Sequence, residues 1–369
     1  MTLAPIEELT DRLAAWLGGR LGTGGVTITE VSRPAAGQSN DTVLVTASTP
    51  GGDERLVVRR QSTGTTIFRD PDVIREFDVL AGLGDTPVPT PRARWAEADP
   101  DVLGSPFFVM DQVAGRVPAG KPSIHTVGWL PGLSAAEVDR LWRSALDTLV
   151  AVHAVDWHER HAFLLDGGEA AAGFSAYVDR LVDWYRWCAA GREFPVTDAA
   201  AERLLAGARD VTSEPVLLWG DARVGNMIFG DDLEVAAAID WETASIGPPE
   251  VDVAHWLFFD EFGTSAVGID RLPGWPDRDT TIARYEAASG RRLGDLALFD
   301  VLDGLFMAGT LIRQADARVD RGLAPPGTRM GHDNTVTQML ARRLGLPVPG
   351  LSPDYLAHRG VPGRAMPTP

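Results

Sequence analysis

The most informative part of the chain is residues 216–256, which read VLLWGDARVGNMIFGDDLEVAAAIDWETASIGPPEVDVAHW. An apolar run leads into a polar loop that contains Asp221, and Asn226 follows five residues later. Asp240 then ends a second apolar run. Because two apolar strands that flank a tight loop can hold polar side chains close together, we expect Asp221, Asn226 and Asp240 to converge.

These side chains suit phosphoryl transfer, which needs a carboxylate to orient and deprotonate a hydroxyl and oxygen ligands for Mg²⁺. Asp221 suits the role of base, and Asn226 and Asp240 suit the role of metal ligands. Arg223 lies two residues past the base, where a cation would neutralise charge on the transferring group. The alternative is that these are ordinary turn residues of a helical protein, for which Asp, Asn and Gly are common choices.

The N-terminal third of the chain predicts a small mixed α/β unit. An amphipathic helix is expected over residues 5–20, followed by three strands, a helix and two further strands. The five strands are expected over residues 26–31, 42–47, 55–60, 92–96 and 107–113, with the helix over 71–83.

Helical patterns dominate the remainder of the chain. They are expected over residues 135–154, 174–190, 198–208, 251–259, 280–289 and 296–319, with short strands over 216–219, 227–229 and 235–241. The fold class is therefore α+β, with a small lobe at 1–113 and a large helical lobe at 114–345. Residues 346–369 are rich in Pro and Gly and predict a loosely held tail.

The loop and the strands around it resemble the motifs of aminoglycoside phosphotransferases and related enzymes with a two-lobed, protein-kinase-like fold. The matching stretches are W-G-D-A-R-V-G-N at 219–226, I-D-W-E at 239–242 and D-V-A at 252–254. The resemblance implies that Asp221 is the catalytic base, that Asn226 and Asp240 bind Mg²⁺, and that Asp252 braces the catalytic loop. Trp219 stands where the family usually has His.

The same resemblance assigns nucleotide-binding roles in the small lobe. Small and polar residues before the second strand would cover the phosphates, namely Gly37, Ser39 and Asn40, although an ordinary hairpin explains them equally well. The chain's one lysine, Lys121, lies beyond this lobe. Arg59 on the third strand therefore takes the place of the family's phosphate-binding lysine and pairs with Glu76, unless the match arises by chance among many arginines.

The fifth strand resembles the family's hinge. Backbone groups at Asp111 and Val113 would bond an adenine edge, and Met110 would sit behind the ring. Plain core packing is the alternative for Met110. Because such a hinge uses backbone contacts, the choice between ATP and GTP stays open.

Further likeness points to one branch of the family. Residues 278–292, RDTTIARYEAASGRR, resemble bacterial phosphotransferase-family proteins and the kinase-like domain fused to certain acyl-CoA dehydrogenases. That branch implies a hydroxylated metabolite as acceptor, with a hydroxyacyl-CoA as one candidate. An antibiotic-modifying kinase and a nucleotide-binding pseudokinase without turnover are the competing hypotheses. Candidate acceptor-binding residues are Trp184, Trp187, Trp256, Asp260 and Glu261, for which core packing or a solvated helix end is the alternative.

Composition restricts the partners. A formal charge of −17 disfavours nucleic acid, whose phosphates the protein would repel. The chain has no apolar run of the ~18 residues that a membrane span needs, and its N-terminus lacks an apolar signal-peptide core. A single cysteine, Cys188, excludes an internal disulfide. We therefore expect a cytoplasmic protein that acts on a small molecule and uses Mg²⁺ and ATP or GTP, with its oligomeric state left open.

Overall fold

The computed structural model describes residues 5–34, 40–165 and 167–359. The chain divides into two compact units. The first comprises Met1–Ala114 together with Ala236–Glu242, and the second comprises Gly115–Val235 and Thr243–Pro369.

The first unit contains a five-stranded antiparallel sheet with strand order β1-β2-β3-β5-β4. Its strands are β1 (Thr27–Ser32), β2 (Asp41–Thr49), β3 (Gly52–Arg60), β4 (Ala93–Glu97) and β5 (Phe107–Asp111), and its helices are α1 (Thr10–Leu21), α2 (Val73–Leu83) and α3 (Pro100–Leu103). The five strands and the two longer helices follow the predicted order, with bounds that differ from prediction by a few residues. The short helix α3, between β4 and β5, was not predicted.

Alternation along β2 and β3 builds the core of the first unit. Val43, Val45 and Leu56 are among the side chains of one face, and all are buried together with Leu13 and other side chains of α1. On β3, Arg59 lies three residues after Leu56, so its side chain is on the opposite face of the sheet from Leu56.

Residues 236–242 return to the first unit although they lie far along the chain. The backbone N–H of Ala238 donates to the carbonyl of Pro89 at 2.7 Å, and the Trp241 indole donates to the carbonyl of Ala238 at 3.0 Å. A boundary drawn at residues 113–114 thus misses this segment, because the bond from Ala238 to Pro89 joins residues far apart in the sequence, which no local pattern reveals.

The second unit is mainly helical. Its helices are α4 (Ala135–His153), α5 (Trp157–Arg160), α6 (Phe174–Ala189), α7 (Pro195–Gly207), α8 (Glu250–Gly263), α9 (Arg278–Ser289), α10 (Ala297–Asp320), α11 (Thr335–Leu344) and α12 (Pro353–Arg359). Short strands lie between α7 and α8: β6 (Val216–Leu218), β7 (Met227–Phe229), β8 (Val235–Ala238), whose last three residues belong to the first unit, and β9 (Ser245–Gly247). β6 and β9 pair antiparallel.

Helix α10 is the centre of the second unit and contacts α6, α7, α8 and α11. A glycine lets α6 approach it closely, since a Cβ at Gly309 would lie 2.5 Å from the ring of Trp184. No helix among the described residues is both long and apolar enough to cross a membrane.

The prediction of a loosely held tail from residue 346 is wrong for the residues that the structure describes. The N–H of Ser352 donates to the carbonyl of Asp333 at 2.8 Å, and Tyr355 on α12 is buried. Arg359 donates to the carbonyl of Pro122 at 2.7 Å. One buried aromatic ring and these hydrogen bonds hold a segment whose Pro and Gly content alone indicates a tail.

Candidate active site

The loop after β6 makes a turn that requires glycine. Gly220 has a φ of 87°, in the left-handed region, and a Cβ there would lie 2.4 Å from the carbonyl oxygen of Thr243. Trp219 beside it is fully buried, so the residue in the position of the family's His fills the interior beneath the loop.

Asp252 on α8 holds this loop in place. Its carboxylate accepts hydrogen bonds from the backbone N–H of Trp219 at 2.7 Å and of Gly220 at 2.9 Å. His153 lies behind it, with Nε2 3.1 Å from the Asp252 carboxylate and Nδ1 2.7 Å from the Tyr285 hydroxyl. These contacts agree with the expected bracing role of Asp252 and make His153 part of its support.

Asp221 and Asn226 lie together, as the sequence predicts. The Asn226 Nδ2 donates to the Asp221 carboxylate at 2.6 Å and to the Asp221 carbonyl at 3.0 Å. Arg223 donates to the same carboxylate through Nε at 2.7 Å and Nη2 at 3.1 Å. The Asp221 side chain keeps 22% of its surface exposed.

The guanidinium of Arg223 forms an ion pair with the carboxylate of Asp221. Its guanidinium also lies 4.9 Å from the centre of the Phe259 ring, a cation–π contact. A role on the transferring phosphoryl group therefore stays a prediction.

His255 is a site residue that sequence reasoning missed. Its Nε2 lies 2.9 Å from Oδ1 of Asp221, and its Nδ1 bonds the carboxylate of Asp303 on α10. The side chains of His255 and Asp303 are only 2% and 3% exposed. The sequence offered one indication, since His255 lies three residues after Asp252 and so one helical turn further along α8.

These neighbours fix the protonation of the loop. Burial would lower the pKa of His255, but the carboxylates of Asp303 and Asp221 raise it to about 10, so both ring nitrogens carry protons at neutral pH. Burial would raise the pKa of Asp221, yet Arg223 and His255 hold it well below its usual range. Asp221 is therefore ionised and able to accept a hydrogen bond from a hydroxyl.

A second cluster of polar side chains lies in the first unit around Arg59. Its Nη2 donates to Asp240 at 2.7 Å and to Glu242 at 3.1 Å, and its Nε lies 2.8 Å from the carboxylate of Glu76. The Arg59–Glu76 pair is thus present, and Asp240 joins it. Glu242, for which the sequence suggested no role, completes a group of one cation and three carboxylates.

The backbone places Asp240 unusually. Its φ of 67° is left-handed, which is uncommon for a residue other than glycine and often marks a functional position. Asp240 belongs to the first unit, whereas Asp221 and Asn226 belong to the second. The convergence of all three stays a prediction.

The donor atoms present suit Mg²⁺. Asn226 uses Nδ2 for both of its hydrogen bonds to Asp221, which leaves its amide oxygen as the potential ligand. Among the residues described, no three His, Cys, Asp or Glu side chains are grouped so as to hold a metal by themselves. Mg²⁺ bound to a nucleotide needs only one or two protein ligands, since waters and phosphate oxygens supply the rest.

The structure describes some of the other predicted nucleotide-binding residues but not all of them. Gly37 and Ser39 lie outside the described residues. Asn40 donates to Glu242 at 3.0 Å, which attaches it to the Arg59 cluster. On β5, Met110 is buried and the N–H of Asp111 is used by the carbonyl of Arg92 at 2.9 Å. The N–H of Asp111 is thus already used, and Val113 follows the end of the strand.

Two of the five candidate acceptor-binding residues lie at the loop. Trp256 and Asp260 line a crevice together with Arg223. The other three are engaged elsewhere. Trp184 packs against Phe306, Trp187 lies under the guanidinium of Arg313, and Glu261 pairs with Arg343 at 2.6 Å.

Comparison with known proteins gives a family model and several relatives. The model described as the phosphotransferase enzyme family (APH) matches residues 30–281. Human acyl-CoA dehydrogenase family member 11 is 29% identical over 231 residues, which are 62% of this chain. The matched region spans 28% of that human protein, so most of the relative has no counterpart here.

Solved structures show the same fold. One is described as a putative aminoglycoside phosphotransferase from Ralstonia eutropha, with a TM-score of 0.68 and 23% identity over 91% of this chain and 98% of the other. Another is the aminoglycoside phosphotransferase APH(4)-Ia in a complex with ADP and hygromycin B, with a TM-score of 0.58 and 13% identity over 90% and 98% of the two chains. The predicted α+β, kinase-like fold class is confirmed.

Proposed function

The chain belongs to the phosphotransferase enzyme family, and from that premise we propose that it moves the γ-phosphate of ATP or GTP to a hydroxyl of a small molecule. The observation that carries the proposal is the loop in which Asp221 is held ionised, beside Asn226, by Arg223 and His255. A cytoplasmic location, which the sequence predicts, would supply the nucleotide and the metal.

Asp221 is the catalytic base of this proposal. The acceptor oxygen attacks the γ-phosphorus, the bond from that phosphorus to the bridging oxygen of the β-phosphate breaks, and the nucleoside diphosphate leaves with the electron pair. The proton of the hydroxyl passes to a carboxylate oxygen of Asp221. Arg223 supplies positive charge close to the reacting oxygen.

The metal ligands of the proposal are Asn226 and Asp240. When bound, Mg²⁺ would neutralise charge on the β- and γ-phosphate oxygens. Without it the Arg59 cluster holds three carboxylates against one guanidinium, an excess of negative charge that a divalent cation would offset.

The nucleotide is assigned to the first unit. Arg59, oriented by Glu76, binds phosphate oxygens, and the segment with Gly37, Ser39 and Asn40 covers them. Met110, Asp111 and Val113 contact the base. The geometry around Arg59 supports the first of these assignments, because a guanidinium fixed on two sides by carboxylates keeps a defined direction.

For the acceptor we propose a hydroxylated metabolite, with a hydroxyacyl-CoA as the candidate that the kinship to an acyl-CoA dehydrogenase family member suggests. An aminoglycoside or macrolide is the alternative, favoured by the fold shared with an enzyme solved with hygromycin B. Family membership alone does not choose between them.

An acceptor screen tests the proposal. The parent protein is incubated with Mg²⁺ and ATP or GTP, and release of nucleoside diphosphate is measured with hydroxyacyl-CoAs, aminoglycosides and macrolides. We expect acceptor-stimulated release with a hydroxyacyl-CoA, and no stimulation in Asp221→Asn. Binding of nucleotide without any acceptor-stimulated release would instead favour a pseudokinase.

A further inference from the structure

The second unit contains an apolar crevice beside the catalytic loop. Its volume is about 80 Å³, and its lining includes Arg223 and Gly225 of the loop with the aromatic side chains of Trp256, Phe259, Phe262 and Trp275. A space of this size and lining fits a narrow apolar chain or a single ring better than a polar molecule of several rings.

Arg359 brings a positive charge to the same crevice. Its Nη2 donates to the carbonyl of Pro122 at 2.7 Å, and its guanidinium lies 4.4 Å from the centre of the Phe262 ring. Lys121 is the chain neighbour of Pro122. Lys121 is an exposed residue, but desolvation of its ammonium group lowers its pKa, and the positive charges of Arg359 and Arg318 lower it further. We call Lys121, Arg318 and Arg359 the basic cluster.

The basic cluster has no counter-charge among the residues that the structure describes. Arg318 donates to the carbonyl of Leu323 at 3.1 Å, and its buried Nε has no hydrogen-bond partner. Neither Arg318, Arg359 nor Lys121 forms an ion pair with a described carboxylate, in a chain whose formal charge is −17. Burial and the three cations lower the pKa of His358 to about 4, so this neighbour is neutral.

Three like charges that lack a counter-ion among residues 5–34, 40–165 and 167–359 destabilise the folded protein, and an anion supplied from outside would offset that cost. The acidic side chain in the crevice lining, Asp260, does not supply it, because Arg271 already pairs with it at 2.8 Å. The charge that the crevice lacks is therefore negative.

We propose that the crevice and the basic cluster together bind an acceptor alcohol that has an apolar body and an anionic group, either carboxylate or phosphate. The apolar body contacts Trp256 and Phe259, and the anionic group binds Arg359 and Lys121. This inference rests on the proposed function, because the crevice is an acceptor site only if Asp221 is the base. A polycationic aminoglycoside would be repelled by the same cluster.

Calorimetric titration of the nucleotide-free protein tests the proposal with octyl phosphate, octanoate and octyltrimethylammonium, which share a chain and differ in charge. We expect one or both anions to bind at least about ten-fold more tightly than the cation, as charge-assisted hydrogen bonds to Arg and Lys predict. Tighter binding of octyl phosphate would assign the group as phosphate, and tighter binding of octanoate would assign it as carboxylate.

Three variants test whether Arg359 and Lys121 bind the anionic group. Arg359→Gln and Lys121→Gln should each weaken the preferred anion about ten-fold and leave the cation unchanged. Arg292→Gln is the matched control, because its side chain is 88% exposed and pairs only with Glu286 in the described structure, and it should change neither affinity. Lys121 is exposed, so its variant should fold even if Arg359→Gln does not.

Equal affinity for anion and cation, or anion binding that survives both substitutions, would overturn the inference. The titration contains no nucleotide, so its result does not depend on phosphoryl transfer. Anion binding without turnover in the acceptor screen would reject the proposed function, and with it the acceptor role of the crevice, and would leave only an anion-binding site. Turnover of a neutral or cationic acceptor without anion binding would reject this inference alone.

Discussion

The Asp221 loop of the second unit and the Arg59 cluster of the first differ in the ratio of cationic side chains to carboxylates. Two cations, Arg223 and His255, surround the single carboxylate of Asp221. In the Arg59 cluster three carboxylates surround one guanidinium. The first arrangement keeps a carboxylate ionised, and the second leaves negative charge for a metal ion to offset. In the proposed function, this difference separates the chemistry, assigned to the loop, from the binding of metal and nucleotide, assigned to the cluster.

The largest effect should come from removing the charge at the centre of the loop. Asp221→Asn keeps the size of the side chain but cannot take the proton, so kcat should fall about 10³-fold while nucleotide affinity stays within a few-fold. Steady-state kinetics and equilibrium nucleotide binding measure the two. Asp156→Asn, at an acid whose side chain is 70% exposed, is the matched control. A kcat close to that of the parent would remove Asp221 from the mechanism.

His255→Gln should have the next largest effect. His255 positions Asp221 without touching the substrate in this account, so we expect kcat to fall about 10- to 100-fold with little change in nucleotide KM, and no loss of Mg²⁺ dependence. If kcat is unchanged in a folded variant, the contact with Asp221 is only structural.

The difference in free energy of unfolding between the parent and His255→Gln should depend on pH. The pKa of His255 in the folded protein is raised from 6.5 to about 10, so its contribution is fully present below pH 6.5 and is lost as pH rises through about 10. The advantage of the parent over His255→Gln in free energy of unfolding should therefore shrink over this interval. Denaturant titrations at several pH values measure it. An advantage that grows with pH would show that His255 is neutral in the folded protein.

A smaller effect is expected in the Arg59 cluster. Asp240→Asn should raise the Mg²⁺ concentration for half-maximal activity about ten-fold, because an amide is a weaker ligand than a carboxylate. Asp53→Asn, at an exposed acid of the same unit, should leave the Mg²⁺ dependence as it is. Equal Mg²⁺ dependence in Asp240→Asn and the parent would exclude Asp240 as a ligand.

The smallest effect should be that of Arg59→Lys. A lysine keeps the charge but cannot contact Glu76, Asp240 and Glu242 through two nitrogens as Arg59 does, so nucleotide KM should rise about five-fold with a smaller change in kcat. The same substitution at the exposed Arg55 of β3 is the control. Should both variants have the KM of the parent, Arg59 would not contact the nucleotide.

Local pattern predicted those parts of the molecule in which one face of an element is buried. Alternating apolar residues located β2 and β3, and the helical spacing of Phe77 and Leu80 located α2, which places Glu76 against Arg59. The spacing of Asp221 and Asn226 likewise predicted their contact, since both lie in one short loop.

Contacts between residues far apart in the sequence could not be predicted from local sequence patterns. Helix α8 is buried on nearly all sides, so a polar residue such as His255 does not interrupt any amphipathic pattern, and its partner Asp303 lies on another helix. Residues 236–242 return to the first unit, and Tyr355 on α12 is buried. Both features also depend on contacts with residues that are far away in the sequence.

The most direct test of the account follows the label from γ-³²P-ATP in a single turnover, with protein in excess of nucleotide and an acceptor from the screen present. If Asp221 is the base of phosphoryl transfer, the label appears covalently on the acceptor in the parent protein and stays on ATP in Asp221→Asn. Label that stays on bound ATP in the parent, or that is released only as inorganic phosphate at the same rate in both proteins, would contradict it.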